Sequence, residues 1–215
     1  MIKKIFSYDG KLFELLNKTG EIMITNILFL LCCIPVVTTG SALTSFYYTM
    51  IKTVRRERGT ITREFFGSMK RTMGKGVILT LLLLFWTGAL VLGRQYAVAA
   101  SGGKVNFPVV LYDVLLALTA ATAVYLFPVL SRFEMKLSGM IKLAFVMSIR
   151  FLPYTVLILA GSVLLGYLVI YRLPVACILV LPGVWCFGIT YLMERALRHY
   201  MPKAPEGEER WYDET

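Results

Sequence analysis

Long apolar runs separated by short polar gaps organise this chain. Ile22–Ile51, Gly76–Gly93, Phe151–Tyr171 and Leu173–Met193 contain no charged residue. A fifth run, Phe107–Leu130, contains one acid, Asp113. A helix needs roughly 20 apolar residues to cross a hydrocarbon core about 30 Å thick. The pattern therefore predicts membrane spans at Gly76–Val98, Phe107–Leu130, Phe151–Tyr171 and Leu173–Met193. The opening run supplies either one further segment or two.

The break inside the opening run decides between these. In NILFLLCCIPVVTTGSALTSFYYTMIK, residues Asn26–Lys52, the greasy half stops at Pro35 and resumes after Thr38, Thr39, Gly40 and Ser41. Proline lacks the backbone N–H that a helix interior requires. Gly40 suits a tight turn, and the hydroxyls of Thr38, Thr39 and Ser41 suit the first N–H groups of a second helix. Ile22–Val37 and Thr39–Val54 each span 16 residues, about 24 Å of helix, short for a full crossing. A turn buried within the bilayer fits if protein covers its backbone.

The basic gaps add orientation. With two segments in the opening run, the Lys and Arg of 1–21, 52–75, 131–150 and 194–215 fall on one side, and only Arg94, Lys104 and Arg172 fall on the other. One segment there mixes the two sides. The positive-inside rule favours the hairpin, six hydrophobic segments and both termini in the cytoplasm. The gaps also carry apolar stripes at helical spacing: Leu12, Leu15, Leu16 and Thr19; Ile61, Phe65, Phe66, Met69 and Met73; Phe133, Leu137, Met140, Ile141 and Ala144. Each reads as an amphipathic helix at the cytoplasmic interface. Three units of amphipathic helix plus hairpin make a weak internal repeat.

Composition agrees. The 215 residues are 57% hydrophobic and 17% charged, against about a quarter charged in soluble domains. The expectation is an all-α, multi-pass bundle in a bacterial cytoplasmic membrane: one domain over 1–201, then a disordered acidic tail over 202–215. The net charge of +10 belongs to the inter-span gaps and not to nucleic-acid binding. Cys32, Cys33, Cys177 and Cys186 lack metal or redox spacing and read as packing residues. A cleaved leader is disfavoured by Asp9, Glu14 and Glu21.

The Asn26–Lys52 stretch resembles the signature of the YesL family, bacterial membrane proteins carrying a domain of unknown function. Its motif positions fall on Asn26, Pro35, Thr38, Gly40, Thr44, Tyr47, Tyr48 and Lys52, with Ser45 where the family usually has Ala. FSYDGKLFELLNKTGEIM, REFFGSMKRTMGKG, FPVLSRFEMKLSGMIKLAFVMSIRFLPYT and YLMERALRHYMP carry the resemblance over nearly the whole chain. No enzymatic activity or binding residue is established for that family, and no cofactor is expected. The resemblance implies an association with carbohydrate ABC uptake systems, whose permease or ATPase subunits become candidate partners beside the lipid bilayer.

Few residues offer chemistry. Asp113 is the one acid inside a clear span, and intramembrane acids mark ion or proton sites by default. The plainer reading puts it near the outer interface with Tyr112 beside it, where Arg94 is a candidate partner. Arg94 and Arg172 read as snorkelling residues. His199 stands alone, so no triad or histidine metal set forms around it. GSMKRTMGKG fails as a phosphate loop, because its glycines are misspaced and no strand precedes it. Ala117/Ala121, Thr119/Ala123 and Ser162/Gly166 suit close helix contacts, and Pro182–Gly183 suits a kink. The leading expectation is a non-enzymatic accessory membrane protein. The rival is a small-solute or ion transporter using Asp113 and the broken helices.

Overall fold

A computed structural model describes residues 11–102, 104, 106–171 and 180–197. Among these the chain is helical throughout, with no strand. The elements are α1 (Lys11–Cys33), a 3-10 turn (Val36–Thr38), α2 (Thr39–Thr49), a π-helical turn (Met50–Arg55), α3 (Ile61–Ala100), α4 (Phe107–Arg132), α5 (Leu137–Arg150), α6 (Leu152–Tyr171) and α7 (Leu181–Leu197).

Four helices are long and apolar enough to cross a membrane: α1 from Leu16, α3, α4 and α6. Of the six expected segments, four thus qualify by length and composition, and the Leu173–Met193 segment falls partly outside the described residues. Helix α2 has only 11 residues. The described part of α7 has 17. Residues 172–179, which include Arg172 and Cys177, lie outside the described residues, as do His199 and the 202–215 tail. Pro182 stands in the first turn of α7, where a missing N–H is tolerated, so it opens that helix and does not kink its middle.

The expected boundaries between interfacial and spanning helices are partly absent. The Leu12–Thr19 stretch runs unbroken into the first apolar run as α1. Ile61–Met73 runs unbroken into Gly76–Val98 as the 40-residue α3. Its buried line is Phe65, Ser68, Thr72, Gly76 and Leu79, while Phe66 and Met73 face outward. The buried stripe is therefore more polar than the apolar one the sequence suggests, because it packs against α2 and not against lipid. On α5 the buried positions are Met140, Ala144, Met147 and Ser148.

Helix α2 sits at the centre, packed against α1, α3 and α4. Nine of its 11 residues are buried. Tyr47 joins a core with Ile51, Leu79, Tyr125, Val129, Met140, Met147, Ile158 and Met193. Phe46 joins a second core with Ile22, Met50, Val54 and Phe65, and its ring stacks on Phe29 at 4.6 Å. So α2 is the wall shared by both cores.

Small residues let α2 cross α3 closely. A Cβ on Gly40 would overlap the Thr80 hydroxyl, the Phe127 ring and the Gly76 carbonyl. A Cβ on Gly76 would overlap Ser41. Gly40 thus serves a helix crossing and not the turn proposed for it from sequence. The Gly40 N–H donates to Thr80 Oγ1 at 3.1 Å, so α3 satisfies a donor left open at the start of α2. Thr38 does not cap that end. Its hydroxyl lies 2.7 Å from the Cys32 carbonyl and 2.8 Å from the Pro35 carbonyl, closing the end of α1. Thr44 and Ser45 donate to the carbonyls of Gly40 and Ser41 at 2.7 and 2.8 Å. These bonds within the helix let hydroxyls be buried at little cost.

Candidate functional site: an ion-paired end of the bundle

The π-helical turn, the start of α3 and the ends of α4 and α7 meet at one end of the bundle. The turn carries Lys52 and Arg55 on one extra residue per turn, which reorients the side chains that follow; such bulges recur at functional sites. Glu194 of α7 is buried and engaged on both carboxylate oxygens. Arg55 Nη1 donates to Oε2 at 2.8 Å, and Arg132 Nη2 donates to Oε1 at 2.6 Å. Arg56 Nη2 stands 3.9 Å from Oε1. The Arg132 side chain is 1% exposed and that of Glu194 is 5% exposed, so this is an interior charge cluster. Arg55 also stacks on the Tyr191 ring at 3.9 Å, one turn before Glu194 on α7.

Beside this cluster, Lys52 donates to Glu64 at 2.7 Å and to the Tyr48 hydroxyl at 3.2 Å. Burial works against the Lys52 ammonium, but the Glu64 and Tyr48 hydrogen bonds outweigh it and hold its pKa above the usual lysine range. The Tyr47 hydroxyl is buried without a hydrogen-bond partner among the described residues and lies within electrostatic reach of Arg132 and Glu194. Lys18 pairs with Glu57 at 3.1 Å, tying α1 to the loop before α3.

The motif residues singled out from sequence divide among three places. Tyr47, Tyr48 and Lys52 stand at the charged end. Pro35, Thr38, Gly40 and Thr44 build the turn and the α2–α3 crossing. Asn26 is fully buried on α1, where it and Ile22 pack against Gly183 of α7.

Asp113 and Arg94 are paired with each other, far from this cluster in the fold. Their side chains are 48% and 43% exposed. Of the small-residue pairs, Ser162 accepts a hydrogen bond from Trp185 Nε1 at 3.0 Å, and Thr119 accepts one from Trp86 Nε1 at 3.3 Å. Gly166 meets open space, whereas Gly161 lies against the Trp185 ring.

Sequence reasoning passed over Glu194 and treated Arg55, Arg56 and Arg132 as topological charges. One signal was available. Glu194 directly follows the apolar run that ends at Met193, and an acid at the edge of such a run needs a cationic partner.

A family model described as "Protein of unknown function, DUF624" matches residues 22–94. That segment contains α2, the π-helical turn and most of α1 and α3, and so includes Tyr48, Lys52, Arg55 and Arg56 but neither Arg132 nor Glu194. None of the curated proteins is similar to the chain, and neither is any solved structure. The apolar helices and this match define a membrane protein of unknown function.

Proposed function

We propose that the chain is a non-enzymatic membrane protein acting as an accessory to a carbohydrate ABC uptake system. It lies in a bacterial cytoplasmic membrane with both termini and its charged end in the cytoplasm. The observation that carries the non-enzymatic part is the closed Glu194 cluster. Both oxygens of that carboxylate are occupied by guanidinium groups, which leaves it poorly placed to take a proton from a substrate. The orientation follows from the basic gaps. The starts of α3 and α5, with Arg63, Lys70, Arg71 and Lys142 outward, then face anionic lipid or a partner's cytoplasmic surface. At the opposite side the hairpin turn exposes Ile34, Val36 and Val37, which suits a tip that stays in hydrocarbon. The carbohydrate link rests on the resemblance of Asn26–Lys52.

Native co-purification tests the reading. Permease or ATPase subunits of an uptake system should be recovered with the intact protein, and a deletion strain should grow poorly on the corresponding glycan. Clean isolation without such subunits, together with unimpaired glycan growth, would sink it.

The rival reading as a small-solute or ion transporter needs Asp113 in a passage. The half-exposed pairing of Asp113 with Arg94 weighs against this. Ion flux in proteoliposomes that disappears in Asp113→Asn would restore it.

A further inference from the structure

At the charged end, α2, α3, the end of α4, the loop after it and α5 line an open cavity of about 360 Å³. Its polar lining comes from Tyr48, Arg71, Thr72, Lys75, Ser131 and Arg132, and Glu134 is the one carboxylate in the lining among the described residues. Leu130, Phe133 and Met140 form an apolar wall.

The way each cation is held makes the cavity a trap for anions. Arg71 and Lys75 stand four residues apart on α3 and share a face. The Arg71 guanidinium lies over the Tyr48 ring at 5.2 Å. The Lys75 ammonium donates to the Met135 carbonyl at 3.1 Å. An aromatic face and a carbonyl both position a cation without cancelling its charge. Arg132 is fixed by Glu194, but that carboxylate also serves Arg55 and faces Arg56. Cations therefore outnumber carboxylates around the cavity. Thr72 and Ser131 already donate to the carbonyls of Ser68 and Pro128, so the cations dominate what an incoming group meets.

We infer that this cavity binds a phosphate ester, with Arg71, Lys75 and Arg132 on the phosphate oxygens. A tetrahedral anion with several oxygens can use a planar guanidinium and a point-charge ammonium together. The cavity is larger than a phosphate, and its apolar wall accommodates the esterified group. Two sources share this chemistry: an anionic phospholipid headgroup, as basic pockets between membrane helices accept, and a soluble phosphorylated metabolite. The inference does not depend on the carbohydrate-uptake reading.

The test uses the full-length protein in phosphatidylcholine nanodiscs. In one arm phosphatidylglycerol is added and the retained lipid is read by native mass spectrometry. In the other, glycerol 3-phosphate is titrated and binding is followed by thermal shift. Saturable binding is expected in at least one arm, and the responding arm identifies the source. The Arg71→Gln/Lys75→Gln double variant should weaken it by about tenfold or more, and Glu134→Gln should tighten it. All three side chains are exposed, so the fold should survive these changes. If the double variant does not stay monodisperse, Glu134→Gln decides alone: tighter binding supports the site and unchanged binding overturns it. Saturation in neither arm, or a double variant that binds like the parent chain, also overturns it.

Discussion

Helix α2 is made of small, hydroxyl-bearing and aromatic residues, and nine of its 11 positions are buried. Helix α6 is made mostly of aliphatic and aromatic residues, and among its described side chains only Thr155 and Ile158 are buried. Leu152, Val156, Leu157, Val163, Leu164 and Tyr167 face outward. In water this arrangement would be inverted. In a bilayer it follows from the solvent: lipid tails are as apolar as leucine, so burying leucine against protein gains little. What holds helices together is close backbone approach and hydrogen bonding. Helix α2 has both, through Gly40 against Gly76 and Thr80. Helix α6 is tied by single bonds, Thr155 with Tyr125 at 3.0 Å and Ser162 with Trp185.

The largest test of this contrast lies at the C-terminal side of α2. Glu194→Gln should leave Arg55 and Arg132 without their carboxylate and cost about 3–5 kcal/mol. Thermal unfolding in detergent should show a large fall in melting temperature. An unchanged melting curve would mean that the cluster contributes no net stability. Next comes the crossing itself. Gly40→Ala should cost about 1–3 kcal/mol, because one methyl must displace backbone and a hydroxyl that have nowhere to go. Where α7 meets α6, Trp185→Phe should remove the Ser162 bond at a cost of about 0.6 kcal/mol, typical of interhelical bonds in membranes. Smallest of all, Gly166→Ala should shift stability by no more than about 0.5 kcal/mol, since a Cβ there meets nothing. Equal losses for Gly40→Ala and Gly166→Ala would break the comparison.

The apolar runs and the break at Pro35 were legible because they are local: a missing N–H and the length of a greasy stretch need no partner to be read. The long helices were less so. Lys70, Arg71, Gly74 and Lys75 suggested a boundary before Gly76, yet no proline stands there, and α3 continues through them because Gly76 is packed against α2. Gly40 was recognised as special for the wrong reason. From sequence a glycine after a proline reads as a turn, and only the α3 crossing shows which backbone approaches it. Glu194 was hidden for a related cause. Charge counting sums cations by loop, whereas an ion pair depends on contacts such as Arg55 with Glu194, 139 residues apart. Asp113 and Arg94 were legible as candidate partners because both stand close to the same gap, between Gly76–Val98 and Phe107–Leu130, which puts them on one side.

The unbroken α3 gives the bundle a mechanical element. Its 40 residues extend about 60 Å along the axis, twice the thickness of the hydrocarbon core. Near its start it carries Glu64, Arg71 and Lys75, midway it carries the Gly76–Thr80 crossing, and towards its far end it carries Arg94. This rod is held along its length, to Lys52 through Glu64, to Gly40 at Thr80 and to Asp113 through Arg94, so it acts as a strut that fixes the spacing between those three places.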